Sequence, residues 1–309
     1  MSRTRSARVP ALAKINLDLR VLGKRPDGYH ELRTVFQTIS LADMIDISFT
    51  PAKTTEIALE DALGIPDNLV TRAARLALDA MRVSGRVALR LEKRIPMGAG
   101  LGGGSSDAAA VLLALPALAR RPLSVATLCE LGQQLGSDVP FFLLGGAAVG
   151  IGRGTEIFPL PDAPTRYGLL AAPGIHVNTA QAYRDLSPRL TTELQQNKIF
   201  SFLSLTWDLG GLGTAANDFE AVVFEQHQHL PALKRRLLRA GASVAMMTGS
   251  GSAVFGIFPD RASAAGARRL LGDEKAVPFS LVSRVRYRRI WYRALAPHIT
   301  PSIWPPRSR

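Results

Sequence analysis

The strongest constraint in this sequence is the run Pro-Met-Gly-Ala-Gly-Leu-Gly-Gly-Gly-Ser-Ser-Asp-Ala-Ala-Ala at residues 96–110. Glycine costs backbone entropy and is favoured where the chain needs a positive φ or lies close to another group. The apolar run at 108–119 predicts a helix, with Ser105 or Ser106 as its N-cap and Asp107 at the positive end of its dipole. Unpaired N–H groups at such a start favour an anion, so a phosphate chain is the expected ligand. The alternative is a flexible surface loop in front of a buried helix.

Two familiar phosphate-binding motifs do not fit this glycine run. Residues 98–103 satisfy the G-x-G-x-x-G pattern of dinucleotide-binding folds, but that pattern needs an acidic residue about 20 positions later, at the end of a second strand. Here Arg120-Arg121-Pro122 and a further helical pattern follow instead. The G-x-x-x-x-G-K-[ST] loop fails because no lysine follows the glycines. If the run binds ATP, its cationic partners must come from elsewhere in the chain.

Composition limits the class of protein. The chain has 309 residues, 47 % hydrophobic and 20 % charged, which suits a globular protein of one large or two ordinary domains. The single cysteine, Cys129, favours a reducing, cytoplasmic setting. No apolar run approaches the roughly 20 residues of a membrane span. The net charge of +13 suggests solubility and attraction for anionic substrates more than nucleic-acid binding.

The N-terminal part predicts a strand at 14–21, after a loose tail at 1–9. Apolar and polar residues alternate strictly there, so Lys14 and Asn16 project side by side from what reads as a half-buried strand. A solvated strand face is the ordinary interpretation of that pair. Further strands are predicted at 33–40, 44–49, 56–59 and 87–93, and a helix capped by Asp67 with Asn68 in its first turn.

Two other stretches carry residues of possible chemical importance. The turn at 23–28 is followed by Tyr29 and His30, which could form the lip of a binding site. Asp138 is flanked by Val139, Pro140 and two phenylalanines, and burying a carboxylate is expensive unless it is paired or used. A turn aspartate after a helix is the competing interpretation of Asp138.

The C-terminal part predicts two β-α-β halves and therefore a ferredoxin-like sandwich. Its predicted strands are 167–172, 243–248, 253–258 and 280–287, with the glycine turn 248–252 between the middle two. A Pro- and Arg-rich tail follows at 297–309.

Three of these segments together resemble the motifs of the GHMP small-molecule kinases: residues 11–17, 96–110 and 248–255. The resemblance implies an α+β fold with a ribosomal-protein-S5-like ATP-binding domain over 10–165 and a ferredoxin-like substrate domain over 166–295. The last strand is expected to return to the first domain, and 1–9 and 297–309 are expected to be tails.

One branch of the family fits best. Residues 14–17, 23–32 and 136–142 resemble the members that use ATP to phosphorylate the 2-hydroxyl of CDP-methylerythritol in the non-mevalonate isoprenoid pathway. The resemblance implies that Asp138 is the general base and Lys14 its partner. A carboxylate can accept the proton of a poorly nucleophilic tertiary alcohol, and an ammonium can offset charge on the transferring phosphoryl group. Mg²⁺ is expected with ATP, bound mainly by phosphate oxygens and water.

The same resemblance implies the binding residues. Those expected at ATP are Pro96, Met97, Gly98, Ala99, Gly100, Leu101, Gly102, Gly103, Gly104, Ser105, Ser106, Asn68 and Lys93. Those expected at the small-molecule substrate are Asn16, Tyr29, His30, Thr179, Tyr183, Gly249 and Ser250. Tyr29 and Tyr183 are expected to sandwich the cytosine. No nucleic-acid or membrane partner is expected, and a monomer and a homodimer are both open.

Two alternatives stay open at this point. Another GHMP kinase, such as a homoserine or phosphomevalonate kinase, would share the glycine run, although the Asp27-Gly28-Tyr29-His30 segment argues against it. A basic nucleic-acid-binding protein that had kept an old kinase fold would show steeply salt-dependent binding and no turnover. The presence of Lys14, Asp138 and the complete glycine run speaks against that second alternative.

Overall fold

A computed structural model describes residues 3–62, 64, 67–162, 164–190, 215–272, 274, 276–300 and 305–306. The first half of the chain contains β1 (Arg5–Lys24), β2 (His30–Pro51), β3 (Glu56–Asp61), α1 (Leu69–Met81), β4 (Gly85–Glu92), α2 (Gly103–Ala119), α3 (Val125–Leu135), α4 (Val139–Leu144), β5 (Ala147–Gly152) and β6 (Glu156–Pro159). The second half contains β7 (Tyr167–Ala171), α5 (Thr179–Leu186), α6 (Glu220–Gln226), α7 (His229–Arg239), β8 (Val244–Met247), β9 (Val254–Phe258), α8 (Arg261–Leu270), β10 (Ala276–Ser280) and α9 (Arg284–Leu295).

The N-terminal sheet is organised around the long antiparallel pair of β1 and β2. The second strand pairs with β1 along most of its length, with β5 through residues 32–37 and with β4 through residues 44–51. The strands β3 and β6 complete the sheet on β4 and β5. The sequence pattern divides β2 into separate strands at 33–40 and 44–49, because the burial of its residues changes along what is one continuous strand.

The core of this half lies between the sheet and helix α2. Every residue of that helix from Ser106 to Ala119 is buried, so it has no polar face. A helix that is apolar on all sides must be covered on all sides, and α1, α3 and α4 supply the rest of the cover around it. The glycine run at 96–104 is therefore attached to one of the most deeply packed of the described helices.

The C-terminal sheet has the strand order β10-β7-β9-β8, with all neighbours antiparallel. With helices between β7 and β8 and between β9 and β10, this is the β-α-β-β-α-β arrangement of ferredoxin-like domains. Its own core includes Phe219, Leu230, Leu237, Val254 and Phe258. The predicted sandwich is confirmed.

The predicted N-terminal tail is wrong for residues 5–9. They form the start of β1, where Arg5 pairs with Phe49 and Val9 is fully buried. The alternation at 14–21 was also misleading, because both faces of β1 are covered: Lys14, Asn16 and Asp18 have at most 4 % of their surface exposed. The polar face is buried by residues far away in sequence, which no local pattern reveals.

The predicted strand at 280–287 is wrong as well. The strand β10 ends at Ser280, and Ser283 then caps helix α9 by accepting a hydrogen bond from the Arg286 amide. The element that returns to the first half is thus a helix, and its buried face, Tyr287, Trp291 and Leu295, belongs to the N-terminal core. Apolar residues four apart are the helical signal that the arginine-rich sequence obscures.

The C-terminal tail is described only in part. Residues 296–298 form a short 3₁₀ turn, and His298 Nε2 lies 2.7 Å from the Ser6 carbonyl oxygen, so this end is attached to β1. Residues 301–304 and 307–309 lie outside the described residues. Among the helices of the described residues, none is both long and apolar enough to cross a membrane.

Candidate active site

The glycine run forms a tight loop that ends at the start of α2. Gly98, Gly100 and Gly102 have φ values of +65°, +77° and +68°, a region that side chains other than glycine rarely adopt. The helix begins at Gly103, earlier than predicted, so neither Ser105 nor Ser106 is its N-cap. The Ser106 hydroxyl instead donates to the Leu12 carbonyl oxygen at 2.7 Å and fixes the helix to β1.

Two of these glycines are also required by close packing. A Cβ atom at Gly102 would lie 2.8 Å from the Phe142 ring and 3.3 Å from Lys14 Cγ. A Cβ atom at Gly100 would lie 2.1 Å from the Thr248 carbonyl oxygen. The loop is therefore packed between β1 and the glycine turn at 248–252, and it presents the amino end of α2 to the space beside Lys14.

Lys14 and Asp138 form the charged pair that the resemblance implies. Their Nζ and Oδ2 atoms are 3.4 Å apart, although one residue lies on β1 and the other immediately precedes α4. The lysine side chain is 5 % exposed and the aspartate side chain 31 % exposed, so the carboxylate faces open space and the ammonium does not. A register shift between Leu12 and Lys14 in β1 accompanies this placement, and such bulges can redirect a side chain.

Asn16 connects this pair to the C-terminal half. Its Oδ1 atom accepts from Lys14 Nζ at 2.7 Å and from the Gly249 amide at 3.0 Å. Its Nδ2 atom donates to the Thr34 hydroxyl at 2.7 Å, and its own backbone amide donates to the Thr248 hydroxyl at 3.1 Å. With 1 % of its surface exposed, Asn16 acts here as a buried connector.

A cavity of about 900 Å³ opens between the two halves in front of Lys14 and Asp138. Its lining includes predicted residues of both catalytic and binding type: Lys14, Asn16, Tyr29, His30, Gly100, Gly102, Asp138, Thr179, Tyr183, Gly249 and Ser250. Residues that lie far apart in the sequence thus meet around one space. The Thr179 and Ser250 hydroxyls are 2.7 Å apart and form part of its wall.

The two tyrosines expected at the cytosine each contact another side chain of the site. The Tyr183 ring stacks on His30, with ring centres 4.6 Å apart, and Phe219 lies edge-on to it. Tyr29 is 52 % exposed, and the Arg153 guanidinium lies over its ring at 3.4 Å. Each tyrosine thus has a partner on one ring face, and the sandwich of a cytosine between Tyr29 and Tyr183 stays a prediction.

Burial determines the protonation states of His30 and Tyr183. Burial, assisted by the charge of Lys24, lowers the pKa of His30, so the imidazole is neutral at pH 7. Its Nε2 atom lies 2.7 Å from the Ser187 hydroxyl. Burial, with a further contribution from Asp138, raises the pKa of Tyr183 to about 12, so the phenol stays protonated.

Two residues expected at ATP have structural partners beside the loop. Lys93 lies between two buried carboxylates, with its Nζ atom 2.5 Å from Asp43 and 2.7 Å from Asp107. Burial opposes its charge, but the carboxylates outweigh burial and raise the pKa of Lys93. Asp107 thus pairs with this lysine and is not the free helix-start charge that the sequence suggests.

Asn68, and not Asp67, is the N-cap of α1, where its side chain accepts from the Val70 amide at 3.2 Å. Its Nδ2 atom donates to Asp61 at 3.1 Å. A predicted cap at Asp67 was off by one residue because both residue types suit the position.

Sequence reasoning missed three groups of this site. Asp43 accepts from the Arg94 and Ile95 amides, the latter at 2.8 Å, and so fixes the start of the glycine run. Arg153 covers Tyr29, and Asn217 bonds the glycine turn of the second half. Only Asn217 had a local signal, as a polar residue before a helix.

The described residues contain no group of three or more His, Cys, Asp or Glu side chains that could hold a metal ion.

Comparison with known proteins identifies the family. A family model described as the GHMP kinases N terminal domain matches residues 68–146, and one described as GHMP kinases C terminal matches residues 204–274. A 4-diphosphocytidyl-2-C-methyl-D-erythritol kinase from Solibacter usitatus (strain Ellin6076) is 68 % identical over 313 aligned positions, covering 100 % of this chain and 99 % of the relative.

Solved structures agree with this assignment. A crystal structure of 4-(cytidine 5'-diphospho)-2C-methyl-D-erythritol kinase matches with a TM-score of 0.75 and 37 % identity, over 89 % of this chain and 98 % of that one. Homoserine kinase from Cytophaga hutchinsonii matches with a TM-score of 0.71 but 17 % identity, over 90 % and 95 % of the two chains, which shows a shared fold alone. The chain therefore belongs to the GHMP kinases and, within them, to the family of its 4-diphosphocytidyl-2-C-methyl-D-erythritol kinase relatives.

Proposed function

We propose that this protein transfers the γ-phosphoryl group of ATP to the 2-hydroxyl of 4-diphosphocytidyl-2-C-methyl-D-erythritol, with Asp138 as general base and Lys14 as its partner. The observation that carries the proposal is the contact of 3.4 Å between these two side chains at the edge of the 900 Å³ cavity. The glycine loop before α2 borders the same space, so an acceptor alcohol and a phosphate chain can meet there.

The proposed proton transfer uses the exposed side of Asp138. One carboxylate oxygen faces Lys14, and 31 % of the side chain is open to the cavity. A tertiary hydroxyl placed there can donate its proton to the carboxylate as the new O–P bond forms. The leaving group is ADP, and the proton stays on Asp138 until solvent removes it.

The proposed phosphate site is the loop from Gly98 to Ser106. Backbone amides at the start of α2 favour the negative charge of the phosphates, and the Lys14 ammonium can offset charge on the transferring group. We propose that Mg²⁺ enters as part of the MgATP substrate, held mainly by phosphate oxygens and water. Pro96, Met97, Asn68 and Lys93 are proposed to lie near the nucleoside.

The cytidine end is proposed to bind where Tyr29, His30 and Tyr183 line the cavity. A neutral imidazole can donate or accept a hydrogen bond at a pyrimidine edge, and Tyr29 offers a ring face that is half exposed. Thr179, Gly249 and Ser250 are proposed to contact the substrate from the C-terminal half.

The test is ADP release with MgATP and the CDP-linked alcohol, for the wild type and Asp138→Asn. We expect substrate-dependent turnover that falls by about 10²- to 10⁴-fold in the variant, the range of general-base contributions. Asp79→Asn is the matched control, because Asp79 is exposed on α1 and the substitution makes the same chemical change away from the cavity. Turnover of homoserine or phosphomevalonate, but not of the CDP-linked alcohol, would refute the substrate. Full activity of Asp138→Asn would refute the mechanism.

A further inference from the structure

Residues 216–220, which we name the cross-domain segment, lie against β1 although they belong to the C-terminal half. The Leu19 amide donates to the Ala216 carbonyl oxygen at 2.8 Å, and the Asp218 amide donates to the Leu19 carbonyl oxygen at 3.0 Å. Leu19 and Asn217 form a parallel bridge. The segment therefore adds a short piece of strand to β1, three residues after Asn16.

The Asn217 side chain makes three hydrogen bonds on the other side of this segment. Its Nδ2 atom donates to the Met247 carbonyl oxygen at 2.8 Å and to the Gly249 carbonyl oxygen at 2.7 Å. Its Oδ1 atom accepts from the Phe219 amide at 3.0 Å. Asn217 is 3 % exposed, so solvent cannot replace these partners without opening the structure.

Gly249 connects Asn217 to the catalytic pair. Its carbonyl oxygen accepts from Asn217, and its amide donates to Asn16 Oδ1 at 3.0 Å, the same atom that accepts from Lys14 Nζ at 2.7 Å. A Cβ atom at Gly249 would lie 2.9 Å from Gly100 Cα, so the turn also rests on the phosphate loop. Gly249 thus bonds to both Asn217 and Asn16 and packs against the glycine loop.

Two acidic residues of the cross-domain segment bond to neighbouring strands. Asp218 accepts from the Val21 amide at 2.8 Å on β1. Glu220 accepts from the Met247 amide at 2.8 Å on β8 and pairs with Lys234 at 2.5 Å. These bonds run to two different domains, which is the arrangement expected of a clamp between them.

We propose that Asn217 is a positioning residue: by holding Gly249, it places Asn16, and through Asn16 the Lys14–Asp138 pair, against the phosphate loop. This role rests on the proposed kinase function but concerns a residue that touches neither reacting group. A displacement of about 1 Å at a catalytic site can cost about 10²-fold in rate. We therefore expect loss of Asn217 to lower kcat by more than its effect on stability explains.

The experiment compares Asn217→Ala with Leu237→Ala at a temperature where both are fully folded by circular dichroism. Leu237 is a fully buried core residue of α7, and none of the hydrogen bonds of the cross-domain segment described above involves it, so it controls for general loss of stability. We expect kcat to fall about 10- to 100-fold in Asn217→Ala while both KM values change by less than about threefold. Hydrogen exchange of the Gly249 amide should accelerate at least tenfold, and Leu237→Ala should change neither readout comparably.

Two results would overturn the proposal: a wild-type kcat in Asn217→Ala, or equal losses of kcat in the two variants. If Asn217→Ala does not fold, Asn217→Ser keeps one donor and serves the same comparison. A wild-type enzyme without turnover of the CDP-linked alcohol would refute the proposed function and not the clamp, because Gly249 exchange reports the clamp without any substrate.

Discussion

Replacing Gly100 by alanine should be far more damaging than replacing a glycine of similar conformation elsewhere. Gly100 has φ +77° and its Cβ position lies 2.1 Å from the Thr248 carbonyl oxygen. Ordinary contact begins near 3.4 Å, so the two backbones must separate by about 1.3 Å (3.4 − 2.1). Gly174 has φ +74° with nothing within 4 Å of its Cβ position, which makes Gly174→Ala the matched control.

The expected losses of unfolding free energy follow from comparing Gly100 with Gly174. Left-handed backbone costs an alanine about 1–2 kcal/mol at either position, and overpacking adds about 1–3 kcal/mol at Gly100 alone. We therefore expect a loss of unfolding free energy of about 2–5 kcal/mol for Gly100→Ala and about 1–2 kcal/mol for Gly174→Ala. The shift of Thr248 also moves the turn that bonds Asn16, so kcat should fall by about 10²-fold in Gly100→Ala only.

Urea unfolding and the ADP-release assay measure the two effects separately. Equal unfolding free energies for the two variants would show that the backbones can part without penalty. A kcat of Gly100→Ala within about threefold of the wild-type value would refute the reasoning that the loop and the turn must remain in contact for catalysis.

Three further predictions concern groups around the site. Burial raises the pKa of Asp18 from 3.8 to about 6, although Arg20 opposes it, so the folded state binds the proton more tightly. Stability from this group is present below pH 4 and lost as pH rises through 6. Urea unfolding at pH 4.5 and 7.5 should show the wild type losing about 2 kcal/mol relative to Asp18→Asn, and a constant difference would contradict this. Lys93→Met should destabilise the fold by about 3–5 kcal/mol in the same assay, since it leaves two buried carboxylates without their cation, and a loss below about 1 kcal/mol would mean that water reaches them. Tyr287→Phe should lower stability by about 1–3 kcal/mol, because the buried Phe142 carbonyl oxygen loses the hydroxyl that donates to it at 2.5 Å, and an unchanged midpoint would show that the carbonyl finds another donor.

The sequence predicts the parts of this protein that are built locally. The glycine run, the helix after it and the βαββαβ order of the second half are all set by turn chemistry and hydrophobic periodicity within short windows. Asp138 could be noted from its apolar neighbours, but roles for Asp138 and Lys14 came only from the resemblance, because a lysine on an alternating strand is usually solvated. Their contact brings together residues 124 positions apart (138 − 14).

The features that could not be predicted depend on contacts between residues far apart in the sequence. The polar face of β1 is buried because the cross-domain segment and the 248–252 turn close over it, some 200 residues later in the chain. The stacking of Tyr183 on His30 likewise depends on how α5 meets β2, and no property of either residue type indicates it. Helix α9 was misread because its five arginines obscure its apolar stripe.

The return of α9 to the first half has a consequence for the order in which the protein can mature. The N-terminal core is completed by Tyr287, Trp291 and Leu295, which a ribosome makes only after the whole C-terminal sheet. A nascent chain that ends before them exposes the surface of β1 and α4 that these side chains cover. Folding of the first half can therefore finish only after synthesis of the second, so that a chain truncated just before Tyr287 would carry both glycine turns and still present an open core to chaperones and proteases.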